Sequence, residues 1–256
     1  MVGGNPHGGA AMTSRGQAAA IAASALALAA LAVGSLPRDH RVAAYATSLE
    51  GRARSQRHNA VLALRRLEGV TIGPGETFSF NGTVGTYSRD QGYRKAPVSF
   101  NGQLIDDWGG GVCQTSTTLY NAALLAGMTI IERHRHQFAP NYVPPGRDAA
   151  VAYSNIDLRF SNPHPFPLRI ATRQTPGELR VEFVAPRRLS ERPTVVERVE
   201  RTRDPAEIRF GQGAHTRLRA SGKPGYEVTV YRITGDRREH VSSDSYPAMS
   251  RVFESR

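Results

Sequence analysis

One cysteine, one tryptophan and two lysines occur among the 256 residues of the chain. The lone Cys113 excludes an intramolecular disulfide framework and any zinc or iron–sulfur site built on several cysteines. Acidic residues are few, 22 against 33 basic ones, which leaves a formal net charge of +11. Because Lys95 and Lys223 are the sole lysines, nearly all of that excess is arginine. Such a balance favours an anionic partner: nucleic acid, an anionic membrane face or an anionic cell-wall polymer. No charge-free apolar run reaches the ~20 residues of a spanning helix. What is present is a hydrophobic fraction of 39%, enough for a real core. Glycine, proline and charge stay below the levels of a disordered chain. The length allows one full domain and a small appended one.

The longest apolar run is Ala18–Val33, which follows the single positive charge of Arg15 and contains neither charge nor proline. Its length suits the apolar segment of a signal peptide, and Ala32-Val33-Gly34 offers the small residues of an exit site. A buried alanine-rich helix is the alternative, although such helices usually carry polar residues on one face. Residues 1–37 are therefore expected to be a signal peptide or an amino-terminal membrane anchor. Export argues against nucleic acid as the partner. It also places the one thiol in an oxidising compartment, where an unpaired cysteine needs a reason.

From Arg38 to Leu67 the spacing of Val42, Tyr45 and Leu49, and of Val61, Leu64 and Leu67, predicts helix. After the Gly73-Pro74-Gly75 turn the pattern becomes alternating and strand-like, interrupted by one helix over Gln114–Ala126 that ends at Gly127. Short strands are expected at Thr129–Arg133, Ala149–Tyr153, Asp157–Phe160, Leu168–Thr172 and Leu179–Val184, with prolines in the connections. A composition shift at Pro186-Arg187-Arg188 opens a segment rich in Arg, Val and Glu. The fold class expected is α+β: an amino-terminal helical segment, a mixed, mostly antiparallel β core with one helix after the cysteine, and a small β module. The expected domains are 38–185 and 186–256.

The run Trp108–Gly127 (WGGGVCQTSTTLYNAALLAG) carries the chemistry. Three glycines precede Cys113, and a helix begins directly after it. Glycines such as Gly110 and Gly111 permit tight turns and close approach of a substrate backbone. A cysteine at a helix amino terminus feels the positive end of the helix dipole, which favours the thiolate. Exposed amides from Val112 to Thr115 could hold an oxyanion, and the hydroxyls of Thr115 to Thr118 could cap free amides. Gln114 and Thr115 thus join the candidate substrate-binding residues. The competing reading is a packing cysteine beside a glycine-rich turn, since free cysteine often packs as a small hydrophobe.

A nucleophilic cysteine needs a base. His134 and His136 lie in Glu132-Arg133-His134-Arg135-His136, and a spacing of two puts both imidazoles on one face of a continuing strand. Either can pair with Cys113, with Asp148 or Asp157 to fix the tautomer. His-x-His is also a metal-ligand spacing, which keeps zinc open as a rival.

Six ordered motifs then bring a family into view: PGETFSFN (74–81), GYRKAPV (92–98), GGGVCQTSTTLYNAALLAG (109–127), ERHRHQ (132–137), YVPPGRDAAV (142–151) and DLRFSNPHPFPLRI (157–170). From about Arg38 to Val184 the chain resembles a VanW domain, named after an accessory product of vancomycin-resistance clusters. From about Val195 onward it looks like a degenerate copy of the extracellular module named for its five glycines, on Gly222, Gly225 and Gly235. The resemblance implies an envelope location and work on peptidoglycan, because some VanW-domain proteins are described as L,D-transpeptidases that use the family's cysteine. Carried over, Cys113 is the nucleophile and His134 or His136 the base. Arg133, Arg147 and Arg159 are then candidates to bind stem-peptide carboxylates in bidentate pairs. The Ser-His-Gly-Cys signature of the usual L,D-transpeptidases is absent. The function expected is a cysteine-dependent acyltransferase acting on peptidoglycan, with no cofactor, no resident metal and no nucleic acid. Anionic wall polymers or the membrane surface are further partners. A non-catalytic wall-binding module and a zinc-dependent hydrolase are the alternatives.

Overall fold

A computed structural model describes residues 39–100 and 103–255; the Ala18–Val33 run, with the leader or anchor expected there, lies outside them. The chain belongs to the α+β class and is mostly antiparallel β. The main sheet has four strands, β1 (His40–Ser48), β9 (Glu178–Ala185), β8 (Leu168–Gln174) and β2 (Thr71–Ile72), in that spatial order and all antiparallel. The inner face of β9 alternates in register: Leu179, Val181, Phe183 and Ala185 are buried, as period-2 patterning requires.

β1 corrects the expectation of helix from Arg38 onward. Its Ala43, Ala44 and Ala46 are good helix formers, and Val42, Tyr45 and Leu49 have helical spacing. Pairing with β9 from His40↔Ala185 to Ser48↔Glu178 overrides that local preference. A register shift between Arg41 and Ala43 puts Val42 and Ala43 both in the core, which hides the alternation from a sequence reader. Helix begins only at α1 (Arg54–Leu67). Its Ala60, Ala63, Leu64 and Leu67 face the core at helical spacing. Gln56 Oε1 accepts from the amide of Ala53 at 3.1 Å and so closes the amino-terminal turn.

A second sheet has the order β3 (Thr77–Ser79), β7 (Arg159–Ser161), β6 (Thr129–Glu132). Short α2 (Phe80–Val84) follows β3 directly, and Asp157 holds its start: Oδ2 accepts from Ser79 Oγ at 2.6 Å and Oδ1 from the Asn81 amide at 2.9 Å. The hairpin β4 (Lys95–Phe100) and β5 (Gln103–Trp108) leads into the glycine run. Ala149–Tyr153, expected as a strand, holds only two isolated bridges, His134↔Ala150 and Ala152↔Ile156.

At the centre lies α3 (Val112–Leu125), packed against β1, α1 and β9. From Gln114 to Leu124 every residue is buried. A helix buried on all sides must satisfy its polar side chains internally. The hydroxyl run does so: Thr115 Oγ1 donates to Ala60 O (2.8 Å), Ser116 Oγ to Ala149 O (2.7 Å) and Thr118 Oγ1 to Gln114 O (2.7 Å), while Thr117 Oγ1 accepts from the Ala149 amide (3.0 Å). The cap position is Gly111, with no side-chain cap. The hydroxyls therefore stitch the helix to its neighbours instead of capping it.

Beyond Arg188 every described element is a strand. β10 (Thr194–Arg203), β13 (Gly225–Thr234) and β14 (Arg237–Tyr246) form one antiparallel sheet. β11 (Glu207–Phe210), β15 (Met249–Ser255) and β12 (Thr216–Lys223) form another, in which β11 and β15 run parallel. Residues 39–256 make up one compact unit. Val228, Val230 and Tyr246 share a small core with Ala139, which belongs to the loop after β6.

Candidate active site

Cys113 is the second residue of α3 and half-buried. The turn before it leaves no room for side chains. A Cβ on Gly111, whose φ is +109°, would stand 2.3 Å from Gln56 O, and one on Gly110 would stand 2.7 Å from Ala96 O. Asn59 locks this turn from α1, donating from Nδ2 to Gly110 O at 2.9 Å. Gly110 and Gly111 are thus required by close packing against the protein's own backbone. The amides of Val112 and Gln114 are engaged by Gly109 O (2.9 Å) and Gly111 O (3.1 Å). Among the described residues no turn or loop carbonyl engages the Cys113 amide, which keeps it among the candidate oxyanion donors of the first turn.

A single extended segment brings the other groups to the thiol. Residues 147–151 run along α3. Asn121 Nδ2 donates to Arg147 O (2.7 Å), the Ala149 backbone bonds Ser116 and Thr117, and Cys113 Sγ contacts Val151 O at 3.4 Å and Val151 N at 3.5 Å. The bridge His134↔Ala150 then sets an antiparallel register. One step along, His136 falls opposite Asp148. His136 Nδ1 lies 2.6 Å from Asp148 Oδ2, which also accepts from the His136 amide at 2.7 Å. With Nδ1 so engaged, Nε2 is the ring nitrogen left open for proton exchange with the Cys113 thiol. His134 takes another course: its Nε2 is 3.0 Å from Glu132 Oε1, and its side chain is 45% exposed. Among the described residues no group of three or more His, Cys, Asp and Glu side chains is arranged to hold a metal ion.

Asp148 is fully buried and has every acceptor position filled. Its Oδ1 receives Arg133 Nη2 at 3.0 Å and the Tyr246 hydroxyl at 2.5 Å. Arg133 Nη1 in turn donates to both carboxylate oxygens of Asp244 at 2.7 and 2.6 Å, and Tyr246 Oη accepts from the Gly146 amide at 3.1 Å. Asp244 and Tyr246 both stand on β14. Burial pushes the Asp148 carboxyl up, but the hydrogen bond and charge of His136, with Arg133, outweigh it and hold the pKa at about 2. Burial pushes His136 down, yet Asp148 and Cys113 carry it up to about 9. Burial pushes the Cys113 thiol up, and the His136 hydrogen bond and charge, with Val151, bring it below its ordinary value. The lowered thiol and the raised imidazole thus favour a thiolate–imidazolium pair, steadied by a buried carboxylate.

The remaining expected site residues serve the fold around this chain. Gln114 Nε2 donates to Ser48 O at 2.7 Å and tethers β1. Thr115 bonds α1 as described. Arg133 braces Asp148. Arg147 is buried between Asn121 Oδ1 and Glu197 Oε1, each at 2.5 Å. Arg159 is exposed and 3.9 Å from Glu132 Oε2. Gln114, Thr115, Arg133 and Arg147 each hydrogen-bond within the protein.

Two tyrosines that sequence reasoning passed over face the thiol. The Arg52 guanidinium lies over the Tyr142 ring, 4.6 Å from its centroid, and Tyr87 donates to Asn81 Oδ1 at 2.6 Å. Burial first, and the Cys113 charge next, push both hydroxyls well above the ordinary phenol value, so each remains protonated. Tyr142 lies in the YVPPGRDAAV motif, a signal that could have singled it out. Asp244 and Tyr246 had no such local mark. Tyr87 meets Tyr153 edge-on at 6.4 Å between ring centres, and Tyr153 is exposed.

Comparison with known proteins gives the family. Over 135 residues the chain is 39% identical to YoaR, an uncharacterized protein of Bacillus subtilis, covering 53% of this chain and 45% of that one. Over 109 residues it is 37% identical to the vancomycin B-type resistance protein VanW of Enterococcus faecalis, covering 41% and 40% respectively. The match thus spans less than half the length of these curated relatives. Among solved structures, HP0197-G5 is 19% identical and covers 25% of this chain and 97% of its own, with a TM-score of 0.15, too low to bear on the fold. The family model described as VanW like protein matches residues 55–184, which hold Cys113, His136 and Asp148. The chain belongs to the VanW-like family.

Proposed function

We propose that the protein is an exported cysteine acyltransferase that works on the peptide stems of peptidoglycan. The observation that carries the reading is His136 held through Nδ1 by Asp148 at 2.6 Å, with its imidazole and the Cys113 thiol each favouring the charged form of the other. In this reading the thiolate attacks a peptide carbonyl carbon, and the Cys113 amide receives the oxyanion. The His136 imidazolium gives its proton to the departing amine as the C–N bond breaks, leaving a thioester. Neutral His136 then takes a proton from an incoming amine, which displaces the thiolate and closes a new amide. Water in place of the amine gives a carboxypeptidase. Asp148 retains its charge throughout and fixes the ring.

The wall as workplace is supported by the name of the Enterococcus relative and by the basic composition; export is supported by the Ala18–Val33 run. The experiment is muropeptide analysis with purified protein. Wild type is expected to form cross-linked or shortened stems, and Cys113→Ala to form none. Equal products from both proteins would refute the reading. A second reading, a wall-binding module without catalysis, has one observation in its favour: a cleft of about 530 Å³ lined by His40, Arg41, Arg180, Arg188 and Arg192, with Glu182. Retention on wall sacculi by the Cys113→Ala protein, with no product from wild type, would select it.

A further inference from the structure

Arg52 is fixed in the turn between β1 and α1, where its amide donates to Leu49 O at 3.2 Å. Its half-buried guanidinium lies over the Tyr142 ring, 4.6 Å from the centroid. Lys223, at the end of β12, reaches the same loop and donates to Ala139 O at 2.9 Å. Burial first, and then the charge of Arg52, push Lys223 below its ordinary value, and burial pushes Arg52 down as well. Among the described residues neither makes an ion pair, although arginines elsewhere in the fold, such as Arg133, Arg147 and Arg232, find carboxylates. Holding two partly desolvated cations together without an acid is unfavourable for the empty protein and favourable for one that binds an anion. The place is telling, because the turn that carries Arg52 is held against the start of α3: Gln114, next to Cys113, donates from Nε2 to Ser48 O at 2.7 Å, and Gln56 O packs against Gly111.

We propose that Arg52 and Lys223 form a carboxylate-binding subsite beside the Cys113 thiol, which holds the free carboxylate at the carboxyl end of the peptide being cut. The inference rests on the acyl-transfer reading and narrows it to bonds at the end of a peptide. One residue of extended chain spans about 3.3–3.6 Å. A carboxylate paired with a guanidinium near Tyr142 therefore places the bond just before the last residue within reach of the thiol. The guanidinium supplies the planar bidentate donors, and Lys223 supplies a second charge.

The test uses the single thiol of the full chain. Iodoacetate carries a carboxylate and iodoacetamide does not, and both alkylate only Cys113. The ratio of their rates is expected to fall about tenfold in Arg52→Gln/Lys223→Met, while iodoacetamide alone reacts as in wild type. Arg52→Lys with Lys223 intact is expected to keep most of the ratio. A peptide ending in D-alanine with a free carboxylate should protect Cys113 from iodoacetamide, and its carboxyl-terminal amide should protect it weakly. An unchanged ratio in the double variant, or equal protection by the amide or by inorganic phosphate, overturns the subsite and leaves the acyl-transfer reading standing. A native thiol inert to both reagents overturns both.

Discussion

Asp148→Asn exposes the logic of the ion pair. The substitution preserves shape but turns one carboxylate oxygen into an NH₂. Oδ2 accepts from the His136 amide and faces His136 Nδ1, while Oδ1 accepts from Arg133 and Tyr246. Whichever way the amide is placed, donors meet donors on one side. If the NH₂ faces the ring, His136 must move its proton to Nε2, and the nitrogen aimed at the thiol can no longer act as base. The rise of His136 from 6.5 to about 9 corresponds to about 3 kcal/mol, and the ring is only 26% exposed, so solvent screening takes little of it. Asp148 and Cys113 are the two groups that raise it. If about half is Asp148's, the variant weakens the imidazolium–thiolate pair by about 1.5 kcal/mol, or about one unit on the thiol. Iodoacetamide alkylation across pH reads this directly. Wild type is expected to show a midpoint below the free-thiol value of ~8.5, and the variant a midpoint about one unit higher. Coincident profiles, with both proteins folded by circular dichroism, would refute the reasoning.

Other outcomes follow from the same contacts. His136 has a folded-state value above its unfolded one, so its contribution is full below about 6.5 and is lost as pH rises through about 9. Urea unfolding should show the stability gap between wild type and His136→Ala narrowing over that window and constant below it. Tyr246→Phe removes the hydroxyl that joins Asp148 to the Gly146 amide and should cost about 1–3 kcal/mol in the same assay, with a slower alkylation of Cys113 near neutral pH. Gly111→Ala sets a Cβ against Gln56 O at a backbone angle that disfavours side chains, and should lower the melting temperature sharply or prevent soluble expression. Tolerance of alanine there would mean that the turn is looser than its contacts require.

The readable parts of the sequence were those whose pattern is local. Glycines, cysteine and a following apolar helix announced Cys113, and the alternation of Leu168–Thr172 and Leu179–Val184 announced β8 and β9. What stayed hidden depends on distant partners. β1 is strand because β9 covers it, against the helix preference of its alanines. The choice between His134 and His136 turns on the bridge at Ala150, which no spacing reveals. Asp148 and Asp157 looked alike as sequence, yet one faces the imidazole while the other caps α2. The arginines invited a substrate reading because their carboxylate partners, Asp244 for Arg133 and Glu197 for Arg147, lie far along the chain.

Those distant partners give the order of synthesis a meaning. Cys113, His136 and Asp148 are made well before Asp244 and Tyr246, and until β14 docks, Arg133 lacks its second carboxylate and Asp148 its tyrosine. A chain that stops before β14 therefore carries Cys113 and His136 without the contacts that Asp244 and Tyr246 make to Arg133 and Asp148. In the acyl-transfer reading the nucleophile thus depends on strands near the carboxyl end, and a fragment ending after the family segment is expected to alkylate more slowly at Cys113.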